Sequence, residues 1–244
     1  MVLLVQRHPD NERVILKLAD RRLRSRSNKD MLDTVPRTSS IEEHLRRAIR
    51  DIQAGVKPNW FELIHDFENR PSTELWEDWM WEVCTWIGKM SNHDTELSTY
   101  RLLHRLQGRY IPRLFGVVRL HITDVVVEGL ALEYIPGVGM EKLKPGIDVS
   151  EQEAEKISSA VLEGFHAIEA EKCLLHNDVR TRNIVLREGN RSPVIIDFGE
   201  ANIRNSQYGD EEWERVVLFL ATDWEVAREK VDQWRIKPEV RCRP

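Results

Sequence analysis

The sequence predicts an α+β chain in two lobes, divided near Pro136. Three observations predict it. Short apolar, β-branched runs occupy the first twenty positions and return between Leu114 and Ile135. Segments of helical period lie between those two groups. After Pro136-Gly137-Val138-Gly139 the chain is mostly helical, with two short strands inserted. Strands, a helical insertion, a helix, strands again, a break and then mostly helix read as an α+β chain in two lobes.

Val2–Val5 and Val14–Leu18 are apolar runs joined by the turn-rich His-Pro-Asp-Asn-Glu, which predicts a hairpin. From Asp20 to Ser39 the chain is polar and basic, with Pro36, and reads as a loop. Ser39 and Ser40 precede Glu42 and Glu43 at capping-box spacing. Ile41, Leu45, Ala48, Ile49 and Ile52 follow at helical period, and Gly55 can end that helix. A second helix is predicted over Thr73–Met90, with an apolar face of Leu75, Trp79, Val83 and Ile87 joined by Met80 and Cys84. Its tryptophans read as packing within their own domain, rather than as a stacking site for a ligand. A third helix is predicted from about Thr95 to Gln107, with Gly108 behind it. Strands follow at Leu114–Leu120 and, around a turn at Glu128–Gly129, up to Ile135. Ser150 with Glu153 caps a long helix whose apolar positions are Ala154, Ile157, Val161, Phe165 and Ile168. Ile184–Leu186 and Val194–Ile196 are short strands, and a last helix carries Trp213, Val216, Val217, Leu220, Trp224, Ala227 and Val231.

Composition narrows the partners. Lys and Arg number 36 against 41 Asp and Glu, for a net charge of −5, which gives no electrostatic case for nucleic acid or an anionic membrane surface. The arginines of Asp20–Lys29 read as a solvated loop. Cys84, Cys173 and Cys242 are far apart and form no CxxC, so neither a zinc site nor a disulfide framework is indicated, and a reducing, intracellular compartment fits, with the cytoplasm the expected location. The apolar start is too short for a signal peptide, and no apolar run reaches the ~20 residues that span a bilayer. Oligomeric state is not readable from the sequence.

The chemistry concentrates in Cys173–Leu186, where a histidine, an aspartate, two arginines and two asparagines stand between apolar anchors. His176-Asn177-Asp178 is followed by four residues and then Asn183. Further on, Asp197-Phe198-Gly199 stands directly behind an apolar strand. A lone His-x-Asp or Asp-Phe-Gly is a weak signal. In this order and on these elements the combination resembles the catalytic loop and metal-binding motif of the protein-kinase-like superfamily. The resemblance implies a bilobal kinase-like fold using ATP and Mg²⁺. It implies that Asp197 and Asn183 hold metal, that Asp178 accepts or orients the proton of an attacking hydroxyl, and that Gly199 lets the backbone turn after the metal ligand. Arg180 occupies the place of a lysine that faces the transferred phosphate, and a solvent-facing arginine is the other reading. For His176 a buried histidine bonding the loop backbone is favoured over direct catalysis.

Upstream, Val14-Ile15-Leu16-Lys17 is similar to the third-strand lysine motif, in which the ammonium meets the α- and β-phosphates. A lysine on one face of a two-sided strand is the plain alternative. The carboxylate that such a lysine needs is assigned to Glu96, which shares a helical stripe with Tyr100 and Leu103, with Glu82 as runner-up. Leu-Ala-Leu-Glu-Tyr-Ile-Pro-Gly resembles the strand and hinge of the adenine pocket. There Leu132 would sit at the back, and the backbone of Glu133 to Ile135 would bond the base.

The likeness runs from Val14 to about Ala201 and departs from the pattern in four places. No glycine precedes Gly55, so the glycine-rich loop is missing, which implies a truncated start or weakened nucleotide binding. Roughly 75 residues separate Lys17 from Glu96, so Asp20–Asn92 reads as an inserted helical unit. Asn177 replaces the arginine that grips a phosphorylated activation loop. No Ala-Pro-Glu follows Gly199, and the 45 residues after it are too few for the peptide-docking half of an ordinary protein kinase. The sequence is most similar to short fungal protein-kinase-like proteins, and His-Asn-Asp also resembles choline-kinase and aminoglycoside-phosphotransferase-type enzymes. The expected division is an N-lobe over 1–135, with its insertion at about 20–92, and a shortened C-lobe over 136–244. The expected function is transfer of the ATP γ-phosphate to a hydroxyl of a protein or small molecule, or else nucleotide binding without turnover.

Overall fold

The computed structural model describes residues 1–20, 38–66, 68–122 and 125–218. Pro36, the basic run beyond Asp20, the last helix beyond 218 and Cys242 lie outside the described residues. In chain order the elements are β1 (Val2–Gln6), β2 (Arg13–Leu18), α1 (Ser39–Gln53), α2 (Trp60–Leu63), α3 (Asp78–Leu102), β3 (Leu114–Ile122), β4 (Val125–Glu133), β5 (Gly137–Gly139), α4 (Glu151–Ala170), β6 (Leu174–Leu175), β7 (Ile184–Arg187), β8 (Pro193–Ile195) and β9 (Asn202–Ile203). Residues 210–218 are helical. The architecture is α+β, as predicted. No described helix is long and apolar enough to cross a membrane.

The chain packs as two compact units. One holds Met1–Leu3, Lys17–His93 and Val118–Gly129, and the other holds Leu4–Leu16, Asp94–Val117 and Leu130–Pro244. A four-stranded sheet runs in the order β1-β2-β4-β3. Its first hairpin closes through Arg7 N–H to the Glu12 carbonyl at 2.8 Å and Leu18 N–H to the Met1 carbonyl at 2.7 Å. β4 runs straight through Glu128 and Gly129, where a turn was expected. Gly129 instead allows close strand approach, since a Cβ there would lie 2.6 Å from the Lys17 carbonyl oxygen.

In the first unit, α1 is capped by Thr38, whose hydroxyl accepts from Ile41 N–H at 3.2 Å, one residue before the serines expected to cap it. Leu45 and Ala48 are buried against Trp60, Trp76, Trp79, Trp81 and Val83. Packing of the tryptophans within their own domain is therefore what the structure shows. Leu75 does not join that face. It lies in a 3₁₀ turn ahead of α3 and is exposed.

The two helices predicted over Thr73–Met90 and Thr95–Gln107 are one helix, α3, of 25 residues. The polar Ser91-Asn92-His93-Asp94 that suggested a break contains neither proline nor glycine, so nothing in it interrupts the hydrogen-bond ladder.

In the second unit, α4 begins at Ser150, whose hydroxyl accepts from Glu153 N–H at 3.2 Å, and it buries Ala154, Ile157, Val161, Phe165 and Ile168 as its period predicts. These residues meet Tyr100, Leu103, Leu130, Leu132, Ile184 and Phe198 in a single core. Pro136–Gly139, read as a break, holds the strand β5. It pairs antiparallel with β7, and β7 pairs antiparallel with β8. A Cβ on Gly137 would fall 2.0 Å from the Leu186 carbonyl oxygen, so only glycine fits this register.

Candidate active site

Leu174 and Ile184 are fully buried and clamp the two ends of the polar loop. β6 is pinned by its antiparallel pairing with β9, Leu174 opposite Ile203 and Leu175 opposite Asn202. Between the anchors the polar groups bond one another. Asp178 N–H donates to His176 Nδ1 at 3.3 Å, and His176 Nε2 faces the Ile196 carbonyl at 3.1 Å. Nδ1 is thus the acceptor and Nε2 carries the hydrogen, so the ring is held as one neutral tautomer. This is the buried, backbone-bonding histidine expected for position 176.

Asn183 is buried, and its amide nitrogen donates to both the Asp178 carbonyl (2.9 Å) and Asp178 Oδ2 (2.8 Å). Two acceptors on one side fix the amide's orientation and leave its oxygen directed away from Asp178. The Asp178 carboxylate is crowded. Arg180 Nε lies 2.6 Å from Oδ1 and Arg182 Nη2 lies 3.3 Å from Oδ2. Arg180 is therefore engaged with the loop aspartate, and Arg182 is a partner that the sequence reading missed.

Ile196 ties this loop to the next motif. Its N–H donates to the Asn183 carbonyl at 2.9 Å, while its own carbonyl faces His176. Asp197 follows directly, exposed, at φ 67. Left-handed backbone is tolerated by aspartate better than by most side chains. It turns the chain so that the Asp197 side chain faces solvent while Phe198 enters the core. The sharp turn was expected at Gly199, and the left-handed residue is Asp197 itself.

Phe198 is fully buried between two rings. Tyr100 meets it edge-on at 5.6 Å and His176 meets it at 4.8 Å, with Phe165 edge-on to His176 at 5.7 Å. Tyr100 is the second residue that the sequence reading missed as part of the site. The signal was present, because it stands one helical turn after Glu96 on α3. Burial first, and then the charges of Glu96, Asp197 and Glu133, hold the Tyr100 phenol proton well above the usual range.

Glu96 and Glu82 are both buried residues of α3, Glu82 in the first unit and Glu96 in the second. Lys17 lies on β2 in the first unit, on the same strand face as Ile15. Leu132 and Ile135 are buried. Glu133 N–H donates to the Arg113 carbonyl at 2.8 Å, and the Glu133 carboxylate accepts from Arg113 N–H and from Arg187 Nη1 at 3.0 and 3.2 Å. The backbone of Ile135 makes no hydrogen bond among the described residues.

A family model described as the protein kinase domain matches residues 88–240, more than half of the chain. The chain belongs to the protein kinase domain family. A serine/threonine-protein kinase D of Synechocystis sp. is 37% identical over 70 residues, which cover 29% of this chain and 13% of that protein. The chain thus spans a small part of the length of the curated relative it matches. The kinase-domain match contains Glu96, Leu132, Glu133, Ile135, Asp178, Arg180, Asn183 and Asp197, while Lys17 precedes it.

Protein kinase domains generally use ATP and Mg²⁺, and the donors here fit that ion. Mg²⁺ takes hard oxygen ligands, usually one or two from protein, with water and phosphate completing the octahedron. An exposed carboxylate at Asp197 and an amide oxygen at Asn183 fixed by its neighbours meet that need.

Proposed function

We propose that the chain is an ATP- and Mg²⁺-dependent phosphotransferase acting on an alcohol, with a kinase N-lobe over 1–135, carrying its insertion at about 20–92, and a shortened C-lobe over 136–244. The observation that carries the proposal is the Asn183 amide. The side-chain nitrogen is consumed by Asp178 and the Asn183 backbone carbonyl accepts from Ile196 N–H, so the side-chain oxygen is oriented in a loop joined to Asp197. Asp197 and Asn183 would hold Mg²⁺, which when bound neutralises charge on the phosphates. Lys17 would contact the α- and β-phosphates, with Glu96 orienting its ammonium. Leu132 would line the adenine pocket. Of the Glu133–Ile135 backbone, Glu133 N–H is committed to Arg113, which leaves the Tyr134 and Ile135 amides with bonding capacity to spare among the described residues. Asp178 would receive the alcohol's hydrogen bond and hold its oxygen in line with the phosphorus. Arg180 would move from Asp178 to the transferred phosphate, where its planar fork suits two oxygens. The acceptor would be a hydroxyl of a protein or small molecule.

The second reading is a nucleotide-binding module without turnover, and one observation favours it. Arg180 sits 2.6 Å from Asp178 Oδ1 and occupies the atom that an alcohol would need. Label transfer from γ-labelled ATP to broad protein and small-alcohol panels, run beside Mg²⁺-dependent thermal stabilisation, separates the two. The phosphotransferase reading expects transfer, and a loss of at least ~10³-fold in Asp197→Asn, in keeping with the charge stabilisation the metal supplies. Undiminished transfer by that variant would refute the metal assignment. Stabilisation needing both ATP and Mg²⁺, with no transfer, would establish the binding module.

A further inference from the structure

Tyr100 carries a feature that its place in the ring stack does not require. The edge-on contact with Phe198 at 5.6 Å needs only an aromatic ring, and phenylalanine would supply it. The hydroxyl is fully buried and has no hydrogen-bond partner among the described residues. A buried hydroxyl without a partner costs stability, so its presence needs an explanation.

The surroundings indicate which one. Side chains on a helix lean toward its N-terminus, which brings the Tyr100 phenol over the turn that carries Glu96. The ring it packs on belongs to Phe198, the residue after Asp197. Glu96 stands one turn before Tyr100 on α3, and Asp197 directly precedes the Phe198 ring against which the phenol packs. A neutral O–H among carboxylates is a donor facing acceptors.

We propose that Tyr100 is a positioning residue whose hydroxyl donates, through one water, toward the Glu96 and Asp197 carboxylates, and so sets the geometry with which Asp197 takes Mg²⁺. The proposal deepens the phosphotransferase reading and rests on its assignment of Asp197. Phe198 fixes the backbone beside Asp197, and the Tyr100 hydroxyl fixes the direction of the carboxylate.

The test uses the full chain as wild type, Tyr100→Phe, Asp197→Asn, Glu96→Gln and the two double variants. Urea midpoints of the ligand-free proteins give coupling cycles that need no nucleotide. The hydroxyl link expects the Tyr100→Phe and Asp197→Asn shifts to be non-additive. Additive shifts with both carboxylate variants would overturn it. Where wild type is stabilised by ATP with Mg²⁺, Tyr100→Phe should raise the Mg²⁺ concentration for half-maximal stabilisation about tenfold while leaving stabilisation by ATP alone unchanged. An unchanged Mg²⁺ requirement, with a higher urea midpoint for Tyr100→Phe, would mark the hydroxyl as a tolerated defect. A wild type that shows no Mg²⁺-dependent binding defeats the phosphotransferase reading, and the ligand-free cycles still decide the hydroxyl link.

Discussion

The two units are each built on aromatic rings, and the rings use their polar atoms differently. In the first unit Trp60 meets Trp76 at 5.1 Å and Trp79 at 6.0 Å, and Trp76 meets Trp81 at 4.5 Å. Trp60 and Trp76 donate to the Met80 and Pro71 carbonyls, while among the described residues the indole nitrogens of Trp79 and Trp81 have no partner. This cluster is held by buried area. In the second unit the sequence Tyr100–Phe198–His176–Phe165 is a line of contacts, and the polar atoms of its histidine go to Asp178 and Ile196. Rings that merely pack can leave polar atoms idle at some cost. In the second unit the histidine ring spends both its nitrogens on the loop around Asp178 and Ile196, while the Tyr100 hydroxyl is left, like the two indoles, without a partner among the described residues.

Removing one ring from each cluster breaks the comparison most directly. Trp60→Ala and Phe198→Ala should each cost about 3–5 kcal/mol, because both side chains are almost wholly buried and leave a cavity. Hydrogen exchange should separate them. Trp60→Ala is expected to deprotect α1 and the first half of α3 while β6 to β9 keep their protection, and Phe198→Ala is expected to do the reverse. Matching exchange maps for the two variants would show that the two cores are one cooperative body. Phosphate transfer should also be lost with Phe198→Ala, since Asp197 would lose the anchor next to it.

A smaller effect is expected at Gly137, where the loss is steric. Gly137→Ala places a methyl against the Leu186 carbonyl, so β5 must shift or part from β7, at a cost of about 3 kcal/mol. Urea unfolding followed by tryptophan fluorescence, set beside exchange at β7, would measure it. A loss under about 1 kcal/mol would mean that the strand pair yields without harm.

What the sequence made legible follows from the range over which each signal acts. The α4 cap and its buried face could be read because Ser150, Glu153 and the apolar stripe interact within one or two turns. The order and identity of His176, Asp178, Asn183 and Asp197 could be read because their spacing is itself the signal. The continuity of α3 was hidden, since a polar stretch looks like a loop until one sees that no residue in it breaks a helix. β5 was hidden because two glycines read as a turn, and only the nearby Leu186 carbonyl shows why they are needed. The left-handed Asp197 and the Arg180–Asp178 pair depend on contacts that local pattern does not encode.

The gentlest probe is a matched pair of helix caps. Thr38 accepts from Ile41 N–H, and Ser150 accepts from Glu153 N–H, each at 3.2 Å. Thr38→Ala and Ser150→Ala should each cost about 1 kcal/mol, so the caps differ in the unit they serve and not in strength. Because the substitutions are small and local, each reports the cooperativity of its own surroundings. If the units unfold separately, Thr38→Ala should lower protection in α1 alone and leave α4 unchanged, and Ser150→Ala should do the converse. Equal loss of protection in α1 and α4 from either variant would instead mean that opening one unit opens both, and the division between a packing core and a catalytic core would hold for chemistry but not for stability.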